Sequence, residues 1–265
     1  MSKTLVLSGY GLNCEQETKQ GFELAGGKAD IVHINDLING TIKLADYQIL
    51  AVPGGFSYGD DTGSGNAMAN KLRNHLWTDL VEFVEEKKLA IGICNGFQIL
   101  VNLGILPGLN NKAGERQVAL LHNNTARYTV RWIDLEFQKI KSPWTQNIET
   151  ISVPIAHGEG RFFAEPEILK SLKAKNLIAC KYVQGEICTM QNLESNPNGS
   201  MEDIAGITNE QGNVFGLMPH PDRALYFTQL PHWNLLKAQF KLAEKPLPKY
   251  GPGLKVFQNA VNYFK

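Results

Sequence analysis

A regular alternation over the first hundred residues narrows what this chain can fold into more than any other feature. Short apolar runs, at 4–8 (TLVLS), 30–34 (DIVHI), 48–52 (QILAV) and 89–93 (LAIGI), take turns with stretches of helical character. The helical stretches are 15–24, ended by Gly26-Gly27; 67–87, where Leu72, Leu76, Leu80 and Val84 recur at four-residue spacing; and 96–103. Strands buried on both faces read as unbroken apolar runs, and helices between them cover a parallel sheet. The expected fold class is therefore α/β, a mostly parallel central sheet flanked by helices. The second half has another texture. Strand candidates at 118–121, 128–133, 151–155, 178–182, 204–208 and 214–218 are joined by turn-rich segments such as 192–200 (NLESNPNGS). This predicts an added β-rich second half on one domain spanning 1–265. A proline-glycine break at 246–253 precedes an amphipathic stretch at 254–264, so 224–265 reads as a C-terminal extension packed on that domain.

The totals exclude several classes. Lys+Arg and Asp+Glu both count 26, for a net charge of zero, which gives no general electrostatic attraction to nucleic acid or to an anionic membrane. The four tryptophans are scattered and make no stacking platform for bases. No run reaches the roughly 18 to 20 apolar residues of a membrane span, and the first residues lack the apolar stretch of a signal peptide. The four cysteines, Cys14, Cys94, Cys180 and Cys188, are irregularly spaced and suggest neither a disulfide framework nor a metal cluster. A cytoplasmic protein is the expectation.

The chemistry concentrates around Gly92-Ile93-Cys94-Asn95-Gly96. This is G-x-C-x-G, a thiol version of the nucleophile elbow. A strand that turns at once into a helix forces its corner residue into a strained conformation, and glycine neighbours permit the tight fold. The corner side chain is thrust out at the carboxyl edge of the sheet, where helix N–H groups favour thiolate. The same spacing also suits a buried structural cysteine at a strand end. A nucleophile needs a base, and the base an orienting group. His220-Pro221-Asp222 follows an apolar run, and an extended segment would point both side chains the same way. Gly54 and Gly55 follow the strand at 48–52, so their backbone can approach a reacting carbonyl. The N–H of Asn95 is a second candidate donor for an oxyanion.

Cys94 with Gln98 behind it, Pro53-Gly54-Gly55 upstream and His220-x-Asp222 near the end resemble the class I glutamine amidotransferases. Further motifs narrow the likeness: Gly11-Leu12-Asn13-Cys14, Phe56-Ser57-Tyr58-Gly59-Asp60, Ala156-His157-Gly158-Glu159-Gly160 and Asn196-Pro197-Asn198-Gly199-Ser200. From about residue 4 to Arg223 they are similar to the glutaminase-subunit family of phosphoribosylformylglycinamidine synthases, enzymes of purine biosynthesis. The resemblance implies a flavodoxin-like fold and glutamine as substrate. It implies Cys94, His220 and Asp222 as the catalytic triad, and Gly54, Gly55, Asn95 and Gln98 at the oxyanion or substrate site. It implies no metal or cofactor in this chain, with ATP and Mg used by a synthetase subunit that receives the ammonia, and a small accessory subunit as a further partner. The chain carries no Walker-type phosphate loop, in keeping with that division. Activity is expected to be weak without the partner. A thiol hydrolase acting on another acyl or peptide substrate, and an inactive docking homologue, are the competing readings.

Some residues depart from the pattern. Asp222 stands where the family has Glu, one methylene longer, and the stretch 61–66 (DTGSGN) lacks a basic residue that many relatives carry. The glycine-flanked His157 and Glu159 read as a shaped loop near the site, Asn13 as a helix N-cap, and Cys14 as a packed thiol.

Overall fold

The computed structural model describes residues 2–265. Its strands are β1 (Lys3–Ser8), β2 (Lys28–His33), β3 (Ile49–Val52), β4 (Leu89–Ile93), β5 (Val118–His122), β6 (Thr129–Phe137), β7 (Thr150–His157), β8 (Glu159–Ala164), β9 (Ile178–Val183), β10 (Ile204–Thr208) and β11 (Val214–Leu217). Its helices are α1 (Glu15–Leu24), α2 (Ile34–Ile38), α3 (Asn66–Glu85), α4 (Asn95–Leu103), α5 (Pro166–Ala174), α6 (Glu186–Gln191), α7 (Trp233–Leu242) and α8 (Leu254–Tyr263). Nine strands form one sheet in the order β2-β1-β3-β4-β11-β10-β9-β6-β7, and β5 pairs with β8 apart from it.

The strands from β2 to β11 run parallel. From β11 outward the pairing is antiparallel. The β-rich second half therefore extends the same sheet and makes it mixed. The change of direction has a local cause: β10 and β11 are joined by a short turn at 209–213, and a link of that length can only return the chain antiparallel.

Burial explains why the apolar runs became strands. Every residue of β3, β4, β10 and β11 is buried, as expected of central strands covered on both faces. Helix α3 buries Leu72, Leu76 and Leu80 on one face, the four-residue spacing seen in the sequence. Helix α4 is buried almost throughout, so its role is to be held rigidly behind β4.

Strand β8 and helices α2, α5, α6 and α7 were not foreseen. In β8 buried and half-buried residues alternate, and its glycine and arginine obscure that pattern in the sequence. Beyond Arg223 the chain returns to pack α8 against α1 and the turn at Pro143–Thr145. Helix α8 sets Phe257 edge-on against Phe22 of α1, with ring centres 5.0 Å apart. Asn259 donates to the carbonyls of Trp144 and Gln146 at 3.0 and 2.7 Å. By contrast α7 buries none of its residues. Among the described residues no helix is long and apolar enough to cross a membrane.

Candidate functional site

The site is built at the carboxyl edge of β3, β4 and β11. Cys94 follows β4 directly and is the N-cap of α4, with φ 53° and ψ −108°. A positive φ is costly for a residue with a Cβ and persists only where the surroundings impose it. Here the surroundings are backbone. The N–H of Cys94 donates to the carbonyl of Leu217 at 2.8 Å, which continues the β4–β11 ladder one residue past the strand. A Cβ on Gly96 would lie 1.9 Å from the carbonyl oxygen of Val52, and one on Gly92 would lie 2.5 Å from that of Gly96. The two glycines of G-x-C-x-G thus let the first turn of α4 press against β3 and β4, which drives the Cys94 side chain outward.

His220 approaches from β11. Its N–H donates to Pro154 of β7 at 2.8 Å, and its ring lies over Gly54, where a Cβ would meet Cε1 at 2.6 Å. His220 Nδ1 is 3.3 Å from Asp222 Oδ1, both groups fully buried, with alignment short of a hydrogen bond. The expected extended segment is instead a 3-10 turn over Pro221–Arg223, and this turn carries Asp222 back beneath the ring. Burial works to lower the His220 pKa, but the charges of Asp222 and Cys94 outweigh it and hold the imidazole well above its ordinary value. The Cys94 thiol is directed at the carbonyl of Ala156, 3.7 Å away, and neither ring nitrogen of His220 has a hydrogen-bond partner among the described residues. Nucleophile and base therefore share one neighbourhood without yet being hydrogen-bonded. Such contacts are often loose before substrate binds.

The oxyanion candidates meet the geometry in part. Gly55 has φ 154°, and a Cβ there would lie 2.5 Å from the carbonyl oxygen of Gly11. Its bridge to Leu12 is made by the neighbouring residues, Asn13 N–H to Gly54 and Phe56 N–H to Gly11, which leaves the Gly55 N–H outside the bridge. The Asn95 N–H is the first of α4 and has no carbonyl a turn earlier to bond. The Gln98 side chain is already engaged. It donates to the Glu159 carbonyl and accepts from Asn95 Nδ2 at 2.9 Å, while Asn95 Oδ1 accepts from Ser57 N–H at 3.1 Å. Gln98 therefore braces Asn95 and β8.

Several residues at the site were not assigned to it in advance. Asn13 does not cap α1; Cys14 is the N-cap residue, and no side chain bonds there. Cys14 is buried beside His220 and Asp222. Arg223 Nη2 approaches its sulfur to 2.9 Å, and the sulfur lies within 4.8 Å of ligand atoms on His220 and Asp222. That trio contains metal-ligating atoms, but the guanidinium already supplies a positive charge against the sulfur. The glycine-flanked histidine and glutamate, expected in a shaped loop near the site, stand at the tight link between two strands there: His157 ends β7 and Glu159 opens β8. Over the site lies a cavity of about 390 Å³ lined by Gly55, Asp60, Cys94, Gln98, His157 and Glu159, among others. That is room for a small polar metabolite. Burial holds the Asp60 carboxyl above the usual carboxylate range, and the charge of Glu159 adds to the rise.

A strained thiol at a strand-to-helix corner, a buried His-Asp pair and backbone N–H groups thus stand at one sheet edge beside a small cavity. A family model described as a CobB/CobQ-like glutamine amidotransferase domain matches residues 1–264, and the chain belongs to that glutamine amidotransferase family. The phosphoribosylformylglycinamidine synthase subunit PurQ of Methanococcus maripaludis is 47% identical to it over 99% of this chain and 97% of that protein. The PurQ subunit of Dehalococcoides mccartyi is 41% identical, over 98% and 97% respectively. Among solved structures, one chain of PurLQS from Thermotoga maritima is 31% identical, with a TM-score of 0.73 and full coverage of both chains. A glutamine amidotransferase from Thermotoga maritima shares the fold at 12% identity, with a TM-score of 0.53 and coverage of 99% and 97%.

Proposed function

We propose that this chain is the glutaminase subunit of a phosphoribosylformylglycinamidine synthase and that Cys94, His220 and Asp222 carry its reaction. Cys94 passes its proton to His220, and the thiolate attacks the side-chain carbonyl carbon of glutamine. The Gly55 and Asn95 N–H groups meet the oxyanion. His220 gives the proton to the departing nitrogen, ammonia leaves, and a γ-glutamyl thioester remains. Water, deprotonated by His220, attacks the thioester, the same donors meet the second oxyanion, and the C–S bond breaks to release glutamate as His220 returns the proton to the Cys94 sulfur. Asp222 keeps the imidazolium favourable without taking its proton.

The observation that carries this reading is the left-handed Cys94 at the same sheet edge as a buried histidine whose pKa is raised by Asp222 and Cys94. The PurQ relatives support the assignment to phosphoribosylformylglycinamidine synthesis, and the PurLQS neighbour supports a synthetase subunit as partner; a small accessory subunit is a further partner on this reading. The ATP and Mg requirement belongs to that synthetase, and the setting is the cytoplasm. Residues 1–265 act as one glutamine amidotransferase domain, with 224–265 an extension held on it through α8.

The test is glutamate release from glutamine by wild type and Cys94→Ser, each with and without the synthetase subunit. Wild type is expected to be slow alone and faster in the complex, and Cys94→Ser inactive in both. Equal rates for the two proteins under both conditions would end the proposal.

A further inference from the structure

The motif Gly11-Leu12-Asn13-Cys14 has no part in the mechanism above. It lies directly against the loop that carries Gly55, and four backbone hydrogen bonds join the two segments. The N–H groups of Asn13 and Cys14 both donate to the carbonyl of Gly54, at 3.2 and 3.1 Å. The N–H of Phe56 donates to Gly11 at 2.9 Å, and that of Tyr58 to Tyr10 at 2.7 Å. Leu12 and Gly55 thus face each other as an antiparallel pair whose flanking residues make the bonds. In a pair of that kind the N–H of each central residue points away from the partner segment. The Gly55 N–H is therefore turned away from residues 11–13, and it has no acceptor among the described residues. Gly55 is buried and lines the cavity that also holds Cys94. A buried backbone donor without a partner is uncommon, and beside a nucleophile it is a place for an oxygen.

That orientation has to be imposed. The peptide unit between Gly54 and Gly55 has no side chain on either flank to prefer one face, and glycine adopts either sign of φ readily. Turning the unit over would take the Gly54 carbonyl from both its donors and swing the Gly55 N–H away from the cavity. A second tie joins the same segment to the base. Arg223 Nη2 donates to Cys14 Sγ at 2.9 Å, and Arg223 belongs to the turn over Pro221–Arg223 that carries Asp222. Gly54 packs against both groups: a Cβ there would lie 3.3 Å from Cys14 Sγ and 2.6 Å from His220 Cε1.

We propose that residues 11–14 form a clasp that sets the Gly55 N–H toward the reacting carbonyl, and that Cys14 keeps the clasp in register with His220 through Arg223. This rests on the reading of Cys94 as the glutaminase nucleophile. Gly11 and Cys14 are positioning residues; neither touches substrate or exchanges a proton. Gly11 has φ 98°, and a Cβ there would lie 2.4 Å from the Phe56 carbonyl oxygen, so Gly11→Ala forces the two segments apart at the clasp. The clasp matters where an oxyanion forms. Attack of the same sulfur on a saturated carbon creates none and does not need it.

The experiment uses the chain together with its synthetase subunit and compares two reactions of Cys94. Glutamate release from glutamine passes through oxyanions. Alkylation by iodoacetamide, read by mass spectrometry of the Cys94 peptide, forms a C–S bond as iodide leaves and passes through none. Gly11→Ala is expected to lose about 100-fold in kcat on glutamine, the scale of one oxyanion donor, with KM within about twofold of wild type. Its alkylation rate is expected to stay within about threefold. Cys14→Ala keeps the four backbone bonds and loses only the tie to Arg223. It is expected to lose about tenfold in kcat, the scale of one charge-assisted hydrogen bond, and Cys14→Ser, which returns an acceptor for Arg223, to recover part of that loss. Gly11→Ala turnover within about threefold of wild type would overturn the proposal, as would alkylation that falls in step with turnover, the mark of a merely structural role. Should Gly11→Ala not fold, the Cys14 variants decide: wild-type kcat in Cys14→Ala, or no recovery in Cys14→Ser, would overturn it equally. Wild type that released no glutamate from glutamine would instead refute the assignment of Cys94.

Discussion

Gly96→Ala sets two forces against each other at the nucleophile. Helix propensity favours alanine over glycine by about 1 kcal/mol within a helix such as α4. Packing opposes it. The new Cβ would sit 1.9 Å from the Val52 carbonyl oxygen, while ordinary contact starts at 3.4 Å, so the start of α4 must withdraw from β3 by about 1.5 Å. Both partners are backbone, and no side-chain rotation relieves the clash. Overpacking of this kind costs about 1–3 kcal/mol, which exceeds or cancels the propensity gain. Activity is the sharper readout. The withdrawal moves Cys94 and the Asn95 N–H relative to Gly55 and His220, which are carried on other strands. A misplacement of about 1 Å costs on the order of 100-fold. The expected result is a fall of about 100-fold or more in kcat/KM for glutamate release in the complex, with a melting temperature lowered by no more than about 10 °C. A variant within threefold of wild type in rate, and melting higher, would refute the steric account of the elbow.

Two further outcomes test other parts of the structure. Burial, with the charge of nearby His220, lowers the His157 pKa from its ordinary 6.5 to about 3 in the folded chain. Between those values the unfolded chain binds the extra proton, so this residue's contribution to stability is whole above pH 6.5 and is lost as pH falls toward 3, by about 1.4 kcal/mol per unit. His220, shifted the other way, is protonated in both states across that window and leaves the slope alone. Urea unfolding of wild type and His157→Gln from pH 7 to 4 should show the wild type losing stability faster; parallel curves would contradict the assignment. Asn259→Ala strips the buried carbonyl of Trp144 and the part-buried carbonyl of Gln146 of their donor. It should cost about 1–3 kcal/mol in thermal or urea unfolding while leaving glutamate release at 25 °C unchanged, and an unaltered melting temperature would show that α8 is not held by these bonds.

Much of this architecture was written in local pattern. The apolar runs that became β3, β4 and β11 had to be covered on both faces, because nothing in them tolerates water. The glycines around Cys94 announced a corner, since only residues without a Cβ fit a helix pressed onto two strands. For the same reason the candidate nucleophile, base and oxyanion donors could be named from strand-end positions alone. Tertiary structure decided what depends on distance in space. Cys14 is separated from Arg223 by most of the chain, and only folding sets its sulfur against the guanidinium. The turn that brings Asp222 under His220 answers to packing, where the local sequence read as extended. His157 Nδ1 meets the side-chain oxygen of Asn123 at 3.1 Å across 34 residues of sequence. Periodicity reports which face of an element is buried; it carries no information about which polar atoms burial will bring together, and at this site those atoms set the chemistry.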